Sequence, residues 1–314
     1  MRLIDVIRGP SRPTQTQLRY RRRRVGALGA AAAIALLLGM IVGASDGGSD
    51  APDIRADATR VGWYGHLRML AGAGRRSLDF EQRAQESAAI DRALAITPFV
   101  RRGGDQHKLV ALTFDDGPGP VTEELLDELQ RLRVPATFFV VGYQLPEFGE
   151  TLRRMIDLGV PIADHTSEHA NLAQLPRAGQ REQIDDAADE LTTYGVPYPR
   201  LFRPPYGAHD ATTHALLARR KMLSVLWSVD SEDYTQPGTD AIVRNVVDNA
   251  HPGAIVLLHD AGGERSQTLA AVPRIVRELR AQGYRFVTVP RLLLESPPSA
   301  DQQLPPGFNS VGAG

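Results

Sequence analysis

Short apolar runs alternate with longer amphipathic segments from Lys108 onward. The apolar runs predict buried strands and the amphipathic segments predict helices, because the two element types differ in length and period. Predicted strands cover residues 109–114, 135–141, 160–163, 199–202, 222–229, 254–258 and 284–289. Predicted helices cover residues 121–132, 147–158, 177–194, 210–220, 239–250 and 266–282. Repeated strand–helix units indicate an α/β fold built on a parallel sheet or barrel.

The N-terminus has a different pattern. Residues 1–24 contain eight Arg and one Asp, a local charge of +7, and residues 25–45 contain no charge at all. About twenty helical residues cross the ~30 Å hydrocarbon core of a bilayer, so residues 25–45 predict one membrane span. Arginines stay on the cytoplasmic side, which makes residues 1–24 a basic cytoplasmic segment. An Arg-rich arm for nucleic acid is disfavoured beside an apolar span, and no nucleic-acid partner is predicted.

A cleaved export signal is the alternative to an anchor, because the residues up to Ala44 are small enough for signal peptidase. The rest of the chain is therefore predicted to lie outside the cytoplasm, held in the cell membrane by a single span or secreted after cleavage near Ala44. Residues 46–107 are predicted to be a linker followed by a helical extension, either a stalk or a segment packed on the main domain. Residues 108–296 form the predicted catalytic domain, and residues 297–314 a disordered tail. The pattern leaves the oligomeric state open.

Composition narrows the chemistry. The 314 residues include no cysteine, which excludes disulfides, thiolate metal ligands and a cysteine nucleophile. A hydrophobic content of 42% is enough for a substantial core. Any metal ion must therefore be held by histidines and carboxylates.

Polar side chains with catalytic chemistry cluster in five short segments, each placed at the end of a predicted strand or just after it. They are Thr113–Gly117, His165–His169, Arg203–Gly207, Asp230–Tyr234 and Leu257–Asp260. In parallel barrels the carboxyl ends of the strands carry the active site, so these segments are expected to meet. Taken singly, each is as typical of a polar turn as of a site.

Two of these segments predict a metal site. His165 and His169 are four residues apart, and a helical turn would place both imidazoles on one face. A carboxylate from Asp115 or Asp116 would complete a three-ligand site. Adjacent aspartates on a non-helical segment point in different directions, so one can bind metal while the other faces water.

In order and separation, the five segments resemble those of the polysaccharide deacetylase family, carbohydrate esterase family 4, over about residues 108–290. The resemblance implies a distorted (β/α) parallel barrel, TIM-like with about seven strands. It also implies metal-dependent removal of N- or O-acetyl groups from sugars. Residues 1–107 have no part in the resemblance.

The resemblance assigns the metal ligands to Asp116, His165 and His169. It implies a divalent ion, with Zn²⁺ favoured and Co²⁺ or another divalent ion as alternatives, that activates water and polarises the acetyl carbonyl group. Asp115 would be the general base and Arg203 would orient it.

The same resemblance implies an oxyanion contact from the backbone N–H of Tyr206 and a general acid at His259, whose imidazole Asp233 would hold. The family usually has Trp where this chain has Tyr234. Tyr234 still offers a flat wall for a sugar or an acetyl methyl group, and together with Tyr206 it is a candidate substrate-binding residue.

The leading functional prediction is an exported hydrolase that removes N-acetyl groups from an N-acetylglucosamine polymer, with peptidoglycan favoured and chitin-like oligomers as a further substrate. One alternative is an O-acetyl esterase acting on xylan. Another is a catalytically silent glycan-binding protein of the cell surface. The presence of every predicted metal ligand, base and acid argues against the silent protein.

Overall fold

A computed structural model describes residues 81–302 of the chain. The predicted basic segment at 1–24, the anchor or signal at 25–45, the first part of the extension and tail residues 303–314 lie outside the described residues. Within residues 81–302, no helix combines the length and the apolar character needed to cross a bilayer.

Strands and helices alternate along the described chain. The strands are β1 Phe99–Val100, β2 Leu109–Asp115, β3 Ala136–Val140, β4 Ile162–Asp164, β5 Leu201–Phe202, β6 Leu223–Val225, β7 Val229–Asp230, β8 Ala254–His259 and β9 Arg285–Phe286. The helices are α1, described over residues 81–94, α2 Thr122–Leu132, α3 Leu145–Leu158, α4 Arg177–Thr193, α5 Ala211–Arg220, α6 Thr239–Val247, α7 Ser266–Ala281 and α8 Val289–Glu295.

The nine strands form one sheet in the order β1-β6-β5-β4-β3-β2-β8-β7, with β9 beside β2, and every strand pair is parallel. β6 pairs with β5, whereas β7 pairs with β8 at the other end of that order. Only residues 226–228 separate β6 from β7, and an isolated bridge pairs Arg102, which follows β1, with Ala254 of β8, so the sheet curls and its two ends lie near each other. The predicted parallel strand–helix fold is confirmed, with nine strands instead of about seven.

The strand predicted over residues 222–229 is broken in the structure. The buried guanidinium group of Arg203 donates from Nε to the carbonyl oxygen of Val225 at 2.9 Å and from Nη2 to that of Leu226 at 3.3 Å. These carbonyl groups therefore bond to a side chain at the point where the chain passes from β6 to β7.

The strand predicted over residues 284–289 is also wrong in its second half. It ends at Phe286, and α8 begins at Val289. The Thr288 side chain caps this helix by accepting from the backbone N–H of Arg291, and Pro290 occupies the first turn. Thr-x-Pro is a helix-start signal that the apolar run concealed.

The sheet begins before the predicted domain boundary at Lys108, because β1 lies within the segment assigned to the extension. The described part of that extension packs on the domain. Ala89, Ile90 and Ala93 of α1 are buried and share a hydrophobic cluster with residues of the sheet and of α8.

The alternation of side chains along β2 positions the first catalytic segment. Val110, Leu112 and Phe114 belong to the cluster that also contains residues of α2 and α7. Leu109 and Ala111 belong to the cluster on the opposite face, with residues of α1 and α8. Because successive side chains of a strand point to opposite faces, Asp115 lies on the same face as Leu109 and Ala111, at the carboxyl end of the strand.

Candidate metal centre and active site

The predicted metal ligands converge. The ligand atoms of Asp116, His165 and His169 all lie within 4.8 Å of one another. Asp116 Oδ1 is 3.1 Å from His169 Nε2 and 3.5 Å from His165 Nε2. This oxygen is buried, and no residue in the range 81–302 donates a hydrogen bond to it.

The other nitrogen of each imidazole ring, Nδ1, has a hydrogen-bond partner. His165 Nδ1 is 2.6 Å from the carbonyl oxygen of Arg203, and because a carbonyl only accepts, this nitrogen carries the proton. His169 Nδ1 is 3.2 Å from the Tyr206 hydroxyl, which can accept in the same way. Both Nε2 lone pairs then face the Asp116 oxygen, an arrangement that a divalent cation satisfies. The three residues therefore fit the divalent metal ion that the resemblance implies.

The spacing of the histidines predicted a helical turn, but the structure has no helix at this place. Residues 165–169 form a loop after β4, and the backbone is left-handed at Thr166 and His169, with φ of 70° and 53°. Asp116 and Tyr206 have φ of 74° and 61°. A left-handed conformation is costly for residues with side chains, above all for the β-branched Thr166, and such residues cluster at functional sites.

The predicted base and its orienting residue form a buried pair. Arg203 Nη1 lies 2.6 Å from Asp115 Oδ1 and 2.8 Å from the Thr113 hydroxyl, and the arginine side chain is fully buried. The second carboxylate oxygen, Asp115 Oδ2, lies 3.7 Å from Nε2 of the metal-site residue His165. Arg203 therefore holds one oxygen of Asp115 in place, and the other oxygen faces the three predicted metal ligands.

The predicted acid and its partner form a second pair. His259 Nδ1 lies 2.7 Å from Asp233 Oδ1, while Asp233 Oδ2 accepts from the His259 backbone N–H and the Thr268 hydroxyl, each at 2.8 Å. Burial lowers the pKa of His259, but the hydrogen bond and charge of Asp233, with the charges of Asp115 and Asp116, outweigh it and raise the pKa above its ordinary value. Asp233 thus favours the protonated imidazolium form of His259.

The two pairs meet in one cleft. Asp115 and His259 are register partners on the neighbouring strands β2 and β8. The cleft has a volume of about 590 Å³ and is lined by all three metal-site residues together with Asp115, His259, Tyr206 and Tyr234. The structure thus brings every predicted site residue to this end of the sheet, with Arg203 and Asp233 behind the base and the acid.

Sequence reasoning missed several residues of the cleft. Tyr143, which closely follows β3, and Trp227, which lies between β6 and β7, both line it. Trp227 Nε1 donates to Asp230 Oδ2 at 3.2 Å. The rule that sites form at the carboxyl ends of strands could have identified Tyr143. The side-chain contact of Tyr206 with His169 was also not predicted, because an oxyanion contact and substrate binding had been assigned to that tyrosine, but no contact with a metal ligand.

Comparison with known proteins decides the family. The polysaccharide deacetylase family profile matches residues 102–224. A peptidoglycan-N-acetylglucosamine deacetylase of Bacillus cereus is 38% identical over 192 residues, which cover 60% of this chain and 90% of that protein. This chain belongs to the polysaccharide deacetylase family. The predicted resemblance and the assignment to the hydrolases are both confirmed.

Other members of the polysaccharide deacetylase family support the same conclusion. A chitooligosaccharide deacetylase of Bradyrhizobium sp. is 38% identical over 196 residues, covering 58% of this chain and 90% of that protein. A crystal structure of a peptidoglycan N-acetylglucosamine deacetylase in complex with a naphthalenyl N-oxidanyl-benzamide superposes with a TM-score of 0.62. It is 33% identical and covers 64% of this chain and 95% of that one. The individual roles of the site residues stay predictions.

Proposed function

We propose that this enzyme removes N-acetyl groups from an N-acetylglucosamine-containing polysaccharide, with peptidoglycan as the favoured polymer. Relatives that act on peptidoglycan and on chitooligosaccharides support this substrate class. The observation that carries the proposal is the pairing of two charged dyads, Asp115 with Arg203 and His259 with Asp233, around one metal-type cluster. Hydrolysis of an amide requires a base and an acid together, and these dyads supply both.

Asp116, His165 and His169 would hold the divalent metal, with Zn²⁺ favoured because imidazole and carboxylate ligands suit it. When bound, such an ion lowers the pKa of water and polarises a carbonyl group. The histidine ring nitrogens opposite the ligand atoms are held by the Arg203 carbonyl and the Tyr206 hydroxyl, so both rings are oriented before the ion arrives.

Asp115 acts as the base. Its Oδ2 faces the metal cluster and takes a proton from the attacking water, while Arg203 holds Oδ1 and stabilises the ionised carboxylate. The backbone N–H of Tyr206 would contact the oxygen that becomes negative as the tetrahedral intermediate forms.

His259 acts as the acid. Because its Nδ1 is bonded to Asp233, the proton that can leave is the one on Nε2. That proton passes to the amide nitrogen as the carbon–nitrogen bond breaks, giving a free amine and acetate. A sugar amine leaves poorly without this proton, whereas the alcohol of an acetyl ester depends on it less. The intact His259–Asp233 pair therefore favours an amide substrate over an ester.

Exposed aromatic side chains border the reacting groups. Tyr143, Tyr206 and Tyr234 are 43%, 66% and 49% exposed, although all three line the cleft. Flat aromatic faces pack well against the apolar faces of sugar rings. Location in the cell envelope, through an N-terminal span or after export, is part of the proposal and rests on the charge-free residues 25–45.

Acetate release by the purified full-length protein tests the function. The substrates are N-acetylglucosamine oligomers, peptidoglycan and O-acetylated xylan, each before and after chelation and return of Zn²⁺. Metal-dependent release from the N-acetyl substrates supports the proposal. Release from xylan alone would replace it with the esterase, and no release from any substrate would favour the silent glycan-binding protein.

A further inference from the structure

Two loops at the carboxyl end of the sheet pack against each other, and each places a side chain beside a glycine of the other. The first loop, residues 115–119, begins at the last residue of β2, and the second loop, residues 259–263, begins at the last residue of β8. A Cβ atom added to Gly117 would lie 2.1 Å from the carboxyl group of Asp260. A Cβ atom added to Gly262 would lie 2.2 Å from the carboxyl group of Asp116. Each loop thus places a carboxyl group against the bare backbone of the other, and a side chain at either glycine would displace that carboxyl group.

A hydrogen-bond chain runs through the same contact. The backbone N–H of Gly119 donates to the Thr122 hydroxyl at 2.8 Å, and that hydroxyl donates to Asp260 Oδ2 at 2.5 Å. The backbone N–H of Asp260 donates to the carbonyl oxygen of Asp115 at 3.1 Å. Asp260 therefore contacts the first loop at its beginning, at its middle and, through Thr122, at its end.

Retaining Asp260 at this place has a cost. The residue is 1% exposed, and within residues 81–302 no group donates a hydrogen bond to its Oδ1. A buried carboxyl group with an unbonded oxygen is a poor stabiliser, so stability does not explain its presence.

We propose that Asp260 and Thr122 are positioning residues that hold the first loop in its metal-binding shape, with Asp116 directed at the two histidines and Asp115 beside them. The inference rests on the proposed metal-dependent function, and it concerns the placement of the ligand loop before the ion binds. Asp260 acts by filling the space under Gly117 and by accepting from Thr122. Both roles depend on the shape of the side chain and on its acceptor oxygen, which Asn shares with Asp.

Metal affinity of the full-length protein is the readout. Zn²⁺ dissociation constants are measured by competition with a chromophoric chelator, and the visible spectrum of the Co²⁺ form reports ligand geometry. Thr122→Val removes the hydroxyl at nearly constant volume and is expected to raise the dissociation constant by about 10- to 100-fold, the usual effect of losing a residue that orients metal ligands. Thr122→Ser restores the hydroxyl and is expected to restore affinity. Thr213→Val is the matched control, because its hydroxyl is equally buried at the start of α5 but bonds to Gln180.

Two variants of Asp260 separate placement from charge. Asp260→Ala is expected to weaken metal binding as Thr122→Val does and to change the Co²⁺ spectrum, whereas Asp260→Asn keeps shape and acceptor and is expected to bind within about threefold of the original protein. Unchanged affinity in Thr122→Val, or in Asp260→Ala if the threonine variant does not fold, overturns the inference. Equal loss in Asp260→Asn and Asp260→Ala overturns it too, because charge would then be the cause. Failure of the unaltered protein to bind Zn²⁺ would instead overturn the proposed function.

Discussion

The substitution Asp233→Asn tests the role of His259 as the acid and leaves the metal-site residues unchanged. In the protein, His259 Nδ1 faces Asp233 Oδ1, and the other carboxylate oxygen takes the His259 backbone N–H and the Thr268 hydroxyl. In the variant, the amide oxygen can satisfy those two donors only if the amide NH₂ faces His259 Nδ1. A donor at that place favours a lone pair on Nδ1, and hence the neutral imidazole.

The size of the effect follows from the lost contact. A hydrogen bond to a charged group contributes about 1.5–3 kcal/mol, and about 1.36 kcal/mol corresponds to one pKa unit. The pKa of His259 is therefore expected to fall by roughly one to two units from a value raised above the ordinary 6.5. The acid works only when protonated, so activity is lost as the pH rises through this pKa. The alkaline limb of the pH profile should move to lower pH by the same one to two units, and at pH values above the original limb activity should fall about 10- to 100-fold.

Initial rates of acetate release from an N-acetylglucosamine oligomer, measured as kcat/KM from about pH 5 to pH 10, give this profile. Asp240→Asn is the control, because Asp240 pairs with Arg274 on the surface. The variant should lose much less activity toward an activated aryl acetate, whose leaving group needs no proton, than toward the amide. An alkaline limb that stays in place in Asp233→Asn would refute the assignment of His259 as the acid.

Three further outcomes are expected. Asp115→Asn should lower kcat by roughly 10²- to 10⁴-fold with little change in Zn²⁺ affinity, and a matching loss of bound metal would show that Asp115 is a ligand. Chelation should abolish activity and lower Tm, and added Zn²⁺ should restore both. The reason is that an ion bound by Asp116, His165 and His169 in the folded protein stabilises the fold. A Tm that does not change on chelation would count against the metal site. Tyr234→Ala should raise KM about two- to tenfold with kcat nearly constant, while Tyr234→Trp should keep KM low, as an aromatic contact of about 0.5–1.5 kcal/mol requires; equal KM values in the two variants would remove Tyr234 from substrate binding.

The sequence predicted the elements whose pattern is local. The apolar runs at 109–114 and 254–258 are central strands with nearly the predicted ends, and their polar termini identified the catalytic segments. The break between β6 and β7 was not predictable from its own residues, because it depends on carbonyl groups that bond to the distant Arg203.

The site shows the same limit. The order of the motifs indicated which residues meet, but not the left-handed backbone at Thr166 and His169 that replaces the expected helical turn. Asp260 was overlooked as a positioning residue for a similar reason. Its contacts are with Gly117 and Thr122, which only the pairing of β2 with β8 brings near.

That pairing also sets when the centre can form during biosynthesis. Thr122 and Asp260 are 138 residues apart in sequence, although they share a hydrogen bond. A chain emerging N-terminus first exposes Asp116 and both histidine ligands long before β8 exists to lie beside β2. The first loop therefore gains its contacts with Asp260 and the rest of the second loop only when synthesis is nearly finished. Metal uptake should accordingly be a late event, and an incomplete chain should hold the ion only weakly even though it contains all three ligands.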